Sequence, residues 1–342
     1  MSTQKVLLAF SGGIDSCTAA RILLEQGYDV SLLTLNLFGE EPISRAIETA
    51  NSLGLPLKIK QLTNRFQREI IDYFMNGYQR GETPAPCTRC NTHIKWHELY
   101  ETALREGFDR IATGHYFRIQ QKEGIYYVRQ ALDPIKDQSY YLWGIPQEIL
   151  KITLTPMGNR IKSEIIQNAP LAHRTPESMG ICFLQGSSCT EWLKKHLPDI
   201  PQGDVIDTRG NVIGQHDGYP FYTVGQKRNL HCNQSSPVYV LQIDSEKNRI
   251  VAGSSDELFH HHLFVREYTS PCLNRLVKSS SVRIKIRGIG RNPEGFAHIH
   301  IVDHLLQIDL ETPAWAPAPG QPVVFYDGDL VVGGGILDHS LP

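Results

Sequence analysis

The chain has 342 residues, 20% of them charged and 41% hydrophobic, with a formal net charge of −2. That length supports two or three domains with cores of their own, and the balance is that of an ordinary soluble globular protein. The near-zero charge excludes a generic polyanion binder, and no apolar run approaches the ~18–20 residues needed to span a membrane. Seven cysteines, with an N-terminus that enters its first strand almost at once, imply a cytoplasmic chain whose thiols are reduced, metal-bound or catalytic.

The first element is an apolar run, Val6-Leu7-Leu8-Ala9-Phe10, that reads as a buried strand and stops at Ser11-Gly12-Gly13-Ile14-Asp15-Ser16. Asp15 to Gln26 reads as a helix closed by Gly27. A strand that ends at two glycines and feeds a helix aims backbone N–H groups at one spot, which is an anion site. The glycines admit a phosphate close to the backbone, and Ser11 and Ser16 add hydroxyl donors. Asp15 carries the wrong charge for a phosphate and implies a bridging cation such as Mg²⁺. A plain strand-to-helix turn is the competing explanation. Neither the Walker A pattern nor the dinucleotide fingerprint is present. Ser-Gly-Gly-x-Asp-Ser resembles instead the pyrophosphate loop of ATP pyrophosphatases, which activate a substrate by adenylation.

Next come a strand near Val30–Leu35, a helix near Ile43–Leu53 ended by Gly54, and a strand near Leu57–Gln61. Helices follow over Asn64–Tyr78 and from about Asn91 to Glu106, stopping at Gly107, and then a strand over Phe108–Ala112. This βαβα alternation predicts an open parallel sheet with helices on both faces and the ligand beyond the carboxyl ends of its strands. Thr113-Gly114-His115 follows a strand as Ser11–Ser16 does, and is a second wall for the same crevice.

Past about residue 198, glycines and prolines punctuate short runs such as Pro237–Ile243 and Arg249–Ala252, which predicts β-rich domains. Phe259–Leu263, with three consecutive histidines, reads as an exposed junction. Six basic residues and no acid lie between Arg275 and Arg291. Within that stretch Val282-Arg283-Ile284-Lys285-Ile286-Arg287 alternates, giving one apolar and one cationic strand face suited to a phosphate backbone. Val323–Tyr326, an Asp327-Gly328 turn and Leu330–Val332 read as a hairpin running into Gly333-Gly334-Gly335.

Pro84-Ala85-Pro86-Cys87-Thr88-Arg89-Cys90-Asn91 places two thiols three residues apart where a loop enters a helix. The helix dipole and Arg89 would lower a thiol pKa there, and the stripe Trp96, Leu99, Tyr100, Ala103, Leu104 would anchor the helix. Cys182, in Met179-Gly180-Ile181-Cys182-Phe183, is a third notable thiol; Cys17, Cys189, Cys232 and Cys272 read as packing residues. Three chemistries compete. Zinc on Cys87, Cys90, His93 and His97 suffers from ligands crowded into a turn and a half of helix. The others are a sulfur-transfer pair of Cys90 with Cys182, and a [4Fe–4S] cluster on Cys87, Cys90 and Cys182.

The chain resembles the tRNA-specific 2-thiouridylases over nearly its full length. The likeness rests on Ser11–Ser16, Thr83–Pro86 with Cys90-Asn91, Ala112–Tyr116, Lys136–Tyr140, Gly180–Phe183, Tyr222–Gln226 and Pro319–Gly335. It implies an adenine nucleotide alpha hydrolase-like α/β domain over 1–197, a small β-rich central domain over 198–260 and a tRNA-binding β-barrel over 261–342. It places ATP on Ala9, Phe10, Ser11, Gly12, Gly13, Ile14, Asp15 and Ser16, near Leu35 and at Gly114. It sets the target base against Ala85, Pro86 and Cys87, and tRNA against His115, Lys136, Asp137, Gln138, Arg287 and Gln321. Cys90 falls on the catalytic nucleophile and Cys182 on the persulfide carrier, which implies a sulfur-donor or relay protein as partner. The implied reaction replaces O2 of the wobble uridine with sulfur; a paralogue modifying a different RNA or nucleotide is the alternative. The chain departs from the family pattern at Ala85 (usually Asn), Cys87 (often Asp), Gly288 (commonly Tyr) and Met179 (a small hydroxyl residue), and is shorter after Leu35.

Overall fold

The computed structural model describes residues 3–38, 41–168, 180–232, 236–288 and 290–342. It divides into two compact units, one of residues 1–70, 87–177 and 329–332, the other of residues 71–86, 178–328 and 333–342.

The first unit is built on a sheet whose strands are β1 (Lys5–Ala9), β2 (Asp29–Asn36), β3 (Leu57–Gln61) and β4 (Arg110–Thr113). A hairpin follows, β5 (Arg118–Lys122) and β6 (Ile125–Arg129), and then the short β7 (Thr153–Leu154). The sheet order is β3-β2-β1-β4-β7 and every pair is parallel. Helices α1 (Ile14–Glu25) and α2 (Glu41–Leu53) supply the crossovers that parallel pairing demands. Val6, Leu8, Val30 and Leu32 pack with Cys17, Ala20, Leu23, Ala46 and Ala50 in one apolar core. Leu7, pointing the opposite way by strand alternation, is equally buried, and the helix Trp96–Glu106 packs against β1 and β4.

Two helices are longer than their sequence pattern suggests. One runs through residues 63–79, widening between Gln67 and Ile71, and the unit boundary falls inside it. The other begins at Pro86, not Asn91, widens over Asn91–Lys95 and ends at Glu106, where Gly107 adopts φ +71°. The start at Pro86 follows from proline's fixed φ, which suits a first helical position. Leu104, expected on the buried stripe, is 56% exposed, while Glu98 is buried in its stead. Glu98 can enter because Lys60 and Arg65 both pair with it.

The second unit carries two β structures. Strands β8 (Gly203–Ile206), β9 (Val212–His216), β10 (His231–Cys232), β11 (Tyr239–Asp244) and β12 (Arg249–Gly253) form a sheet ordered β10-β9-β8-β12-β11. Strands β13 (Phe259–Thr269), β14 (Val282–Lys285), β15 (Ala297–Val302), β16 (Leu305–Trp315), β17 (Pro322–Asp327) and β18 (Leu330–Leu341) follow in order β13-β16-β15-β14-β17-β18. β13 also pairs with β18, so six antiparallel strands close into a barrel. Closure requires glycine: a Cβ on Gly335 would lie 2.4 Å from Val265 Cγ1. The histidine run is therefore strand, not an exposed junction. Phe259 to Val265 pairs with β16 and His262 to Thr269 with β18, and His262 bonds Asp309 at 2.7 Å through Nδ1.

Candidate functional site

Strand order reverses at β1, which has β2 on one side and β4 on the other, so the loops after β1 and β4 flank the crevice where open parallel sheets hold ligands. Phe10 continues β1 by donating to Leu33 O at 2.8 Å, and Thr34 Oγ1 donates to Phe10 O at 2.7 Å. Gly12 then turns with φ +71°, and a Cβ there would lie 2.9 Å from Ala46 Cα, so no other residue fits. Gly13 precedes α1 without a side-chain cap. The N–H groups of Ile14, Asp15 and Ser16 open the helix and have no intrahelical acceptor by construction. The serines shape this concavity: Ser16 Oγ donates to Gly13 O at 2.9 Å and lies 3.3 Å from Ser11 Oγ.

Asp15 has partners the local sequence does not announce. Both its oxygens accept from Lys162 Nζ, at 2.6 and 2.7 Å, and Oδ1 accepts from Tyr116 Oη at 2.8 Å. The Lys162 side chain is 4% exposed. The chain itself thus supplies a cation beside Asp15. Local sequence gives no sign of this, because 147 residues separate the partners.

The same network continues into the second wall. A Cβ on Gly114 would lie 3.0 Å from Ser16 N, so the two loops touch backbone to backbone. His115 Nδ1 lies 2.9 Å from Thr113 Oγ1, and burial with the nearby Lys95 charge pushes its pKa down to about 3. Tyr116 N donates to Gln138 Oε1 at 2.9 Å, and Gln138 N donates to Tyr116 O at 2.9 Å. Asp137 accepts from Ala131 N at 2.9 Å and Ser139 Oγ at 2.8 Å. Asp133 accepts from Ile135 N at 3.0 Å and from Lys162 N at 2.9 Å. Asp137 and Gln138 thus brace a loop that presents Ile135 and Lys136, and Lys162 ties that loop to Asp15. Leu35 lies near the carboxyl end of β2 in register with Lys60.

Cys87 and Cys90 lie in the opening turns of the helix 86–106; Cys90 is 3% exposed and Cys87 half-buried. Ala85, like Cys87, is half-buried, whereas Pro86 is buried. Arg89, expected to polarise a thiol, donates from Nε to Glu69 O at 3.0 Å. Burial, and to a lesser degree the Cys87 charge, raise the Tyr141 phenol above its ordinary value. Cys182 belongs to the second unit and is exposed on a short turn, Cys182–Leu184. Phe183 anchors that turn edge-on to Phe74 and Trp192, with centroids 5.2 and 5.3 Å apart. Met179 lies outside the described residues. All seven cysteines are thiols, and Cys189 packs with its Sγ 3.3 Å from Tyr78 Oη. Among the described residues no three His, Cys, Asp or Glu side chains are grouped to hold a metal ion. The zinc string Cys87, Cys90, His93 and His97 thus does not have its donor set assembled.

In the barrel, the alternation of 282–287 holds: Val282, Ile284 and Ile286 are buried and Arg283 is exposed. Arg287, however, spends donors on Trp315 O at 3.0 Å, Ala316 O at 2.5 Å and Arg291 O at 3.2 Å. Lys285 Nζ sits 4.8 Å from the Tyr326 ring centre. Gln321 Oε1 is buried without a hydrogen-bond partner.

Three family models match the chain in succession: a tRNA methyl transferase HUP domain over residues 4–186, a tRNA methyl transferase PRC-barrel domain over 190–254 and an aminomethyltransferase beta-barrel domain over 261–337. Fold and loop together define a pyrophosphate-loop HUP protein, an ATP-binding domain followed along the chain by two β-rich domains. The tRNA-specific 2-thiouridylase MnmA of Clostridioides difficile is 35% identical, covering 99% of both chains. That of Syntrophomonas wolfei is 37% identical over 98% of this chain and 100% of the relative. The tRNA-specific 2-thiouridylase MnmA 2 of Phocaeicola vulgatus is 38% identical over 98% of each. The chain belongs to the tRNA-specific 2-thiouridylase family of sulfurtransferases. No helix among the described residues is long and apolar enough to cross a membrane.

Proposed function

We propose that this protein converts uridine at the wobble position 34 of tRNA to 2-thiouridine, using ATP as co-substrate and sulfur carried as a persulfide on Cys182. The family membership supports the reaction class. The observation that carries the chemistry is the uncapped start of α1 at Gly12–Ser16, with the adjoining carboxylate already neutralised by Lys162. That arrangement suits the polyphosphate of ATP. Ala9 to Ser16, Leu35 and Gly114 form the proposed nucleotide site.

The uracil C2 carbonyl is urea-like and unreactive, so adenylating O2 turns it into a leaving group. The terminal persulfide sulfur attacks C2 and AMP departs. The Cys90 thiolate then attacks Cys182 Sγ, the S–S bond to the base breaks, and 2-thiouridine leaves with a Cys90–Cys182 disulfide behind it. The uridine must be unstacked to reach such a site, and Ala85, Pro86 and Cys87 would line it. His115 and the braced loop at Lys136, Asp137 and Gln138 would meet RNA through main chain and the Lys136 charge. Arg287 and Gln321 would contribute from the barrel. The proposed domain limits are 1–197, 198–260 and 261–342, and a sulfur-donor protein would reload Cys182.

No step is routed through a [4Fe–4S] group; Cys87, Cys90 and Cys182 would be its donors. Mg²⁺ would accompany ATP without Asp15 as an obligatory ligand. The test is nucleoside mass spectrometry of tRNA incubated with protein, ATP and a persulfide donor. Thiouridine lost in Cys90→Ser and Cys182→Ser, with ATP binding kept, is the expected result. A methylated nucleoside in its place, formed from a methyl donor, would favour the label carried by two of the domain families.

A further inference from the structure

Cys90 is almost fully buried and Cys87 is half-buried three residues before it on the same helix. Helical geometry puts their Cα atoms about 5 Å apart, inside the disulfide range of roughly 4.4–6.8 Å. Their Cβ atoms start about 5–6 Å apart and close to ~3.8 Å on bonding. The closure falls in the first turn of the helix, and directly after Cys90 the helix already widens over Asn91–Lys95.

The proposed reaction leaves Cys90 oxidised and buried, out of reach of a bulky reductant. We propose that Cys87 is the resolving thiol that releases the spent disulfide. The Cys87 thiolate attacks Cys90 Sγ, a Cys87–Cys90 bond forms, the Cys90–Cys182 bond breaks and Cys182 leaves as thiolate, ready to be recharged. The proton lost by Cys87 passes to solvent. An external dithiol reductant then attacks the more exposed sulfur, Cys87 Sγ, supplies two electrons and returns both thiols. The pair of cysteines is thereby a relay whose inner member resolves the transfer to the base and whose outer member, once product has left, takes the reductant's attack. This rests on the thiolation reading above.

The test uses the full chain, persulfide-loaded and supplied with an excess of a persulfide donor, with tRNA, ATP and limiting glutathione, quenched with N-ethylmaleimide and digested with trypsin. Cleavage after Arg89 separates the two cysteines, so a Cys87–Cys90 bond appears as a cross-linked pair of peptides. In the wild type that pair accumulates as product exceeds one per enzyme. Because Cys87 is also placed against the base, Cys87→Ser is read against itself: without dithiothreitol it stops at one 2-thiouridine per enzyme with Cys90 linked to Cys182, and dithiothreitol speeds its later turnovers at least tenfold. A Cys87→Ser protein that turns over on glutathione as fast as with dithiothreitol overturns the proposal. Equilibration of the wild-type protein alone in a glutathione redox buffer gives an independent reading: absence of the cross-linked peptides at every ratio also overturns it. If neither protein makes 2-thiouridine yet the cross-link forms, the reaction reading fails and the redox pair stands.

Discussion

Replacing Lys162 by Met removes the charge that balances Asp15 and nearly preserves the volume of the side chain. A phosphate seated on the α1 N-terminus would lie about 5 Å from the Asp15 carboxylate, where two like charges repel by about 3 kcal/mol at an effective dielectric of 20. The Asp15 side chain is 32% exposed, and solvent screening cuts that to about 1–2 kcal/mol. ATP should therefore bind about 5- to 30-fold more weakly to Lys162→Met, by calorimetry with the non-hydrolysable analogue, while thermal unfolding confirms the fold. Adding Asp15→Asn to the same chain should recover most of the loss, because the two residues act as a pair. A Lys162→Met protein that binds ATP as the wild type does would refute the reasoning.

Three further outcomes follow from the same geometry. Gly12→Ala should abolish ATP binding and lower stability by about 1–3 kcal/mol, since the new Cβ meets Ala46 and φ is positive; unchanged binding would contradict the loop argument. His115 stays neutral in the fold down to about pH 3, whereas the unfolded chain takes up a proton near pH 6.5. Between those values unfolding binds the extra proton, so stability falls as pH falls, by up to about 1.4 kcal/mol per pH unit. Denaturant midpoints for the wild type and His115→Gln across pH 4–7 should diverge accordingly. Arg287→Lys should lower the barrel's thermal stability, because three carbonyls lose their planar donor; a change confined to the salt dependence of tRNA binding would argue that Arg287 serves phosphate alone.

The parallel sheet was legible because hydrophobic run lengths and glycine stops are local signals. Gly27, Gly54 and Gly107 all adopt positive φ after helices whose ends the sequence marks. The same holds for the Gly12 turn and the alternating face of β14. Lys162 was illegible because an ion pair between residues 147 apart leaves no periodicity near either partner. The histidine run misled because polar residues on a barrel strand look like a turn until both pairing partners are known. Leu104 shows a helix stripe drawn from apolar residues alone; Glu98 took the buried place once Lys60 and Arg65 were there to neutralise it. Arg287 and Asp137 carry the right residue types for RNA, yet both have bonds within their own units that composition could not reveal.

In the proposed reaction, sulfur reaches C2 of one tRNA uridine through Cys90 and Cys182. Liquid chromatography with mass spectrometry of a tRNA transcript after a single turnover on ³⁴S-persulfide-loaded protein and ATP tests this most directly. One ³⁴S-labelled 2-thiouridine per enzyme at position 34, with AMP and pyrophosphate in equal amount, is the predicted result. Label in 2-thiouridine made by a Cys182→Ser chain, or none made by the wild type, would contradict it.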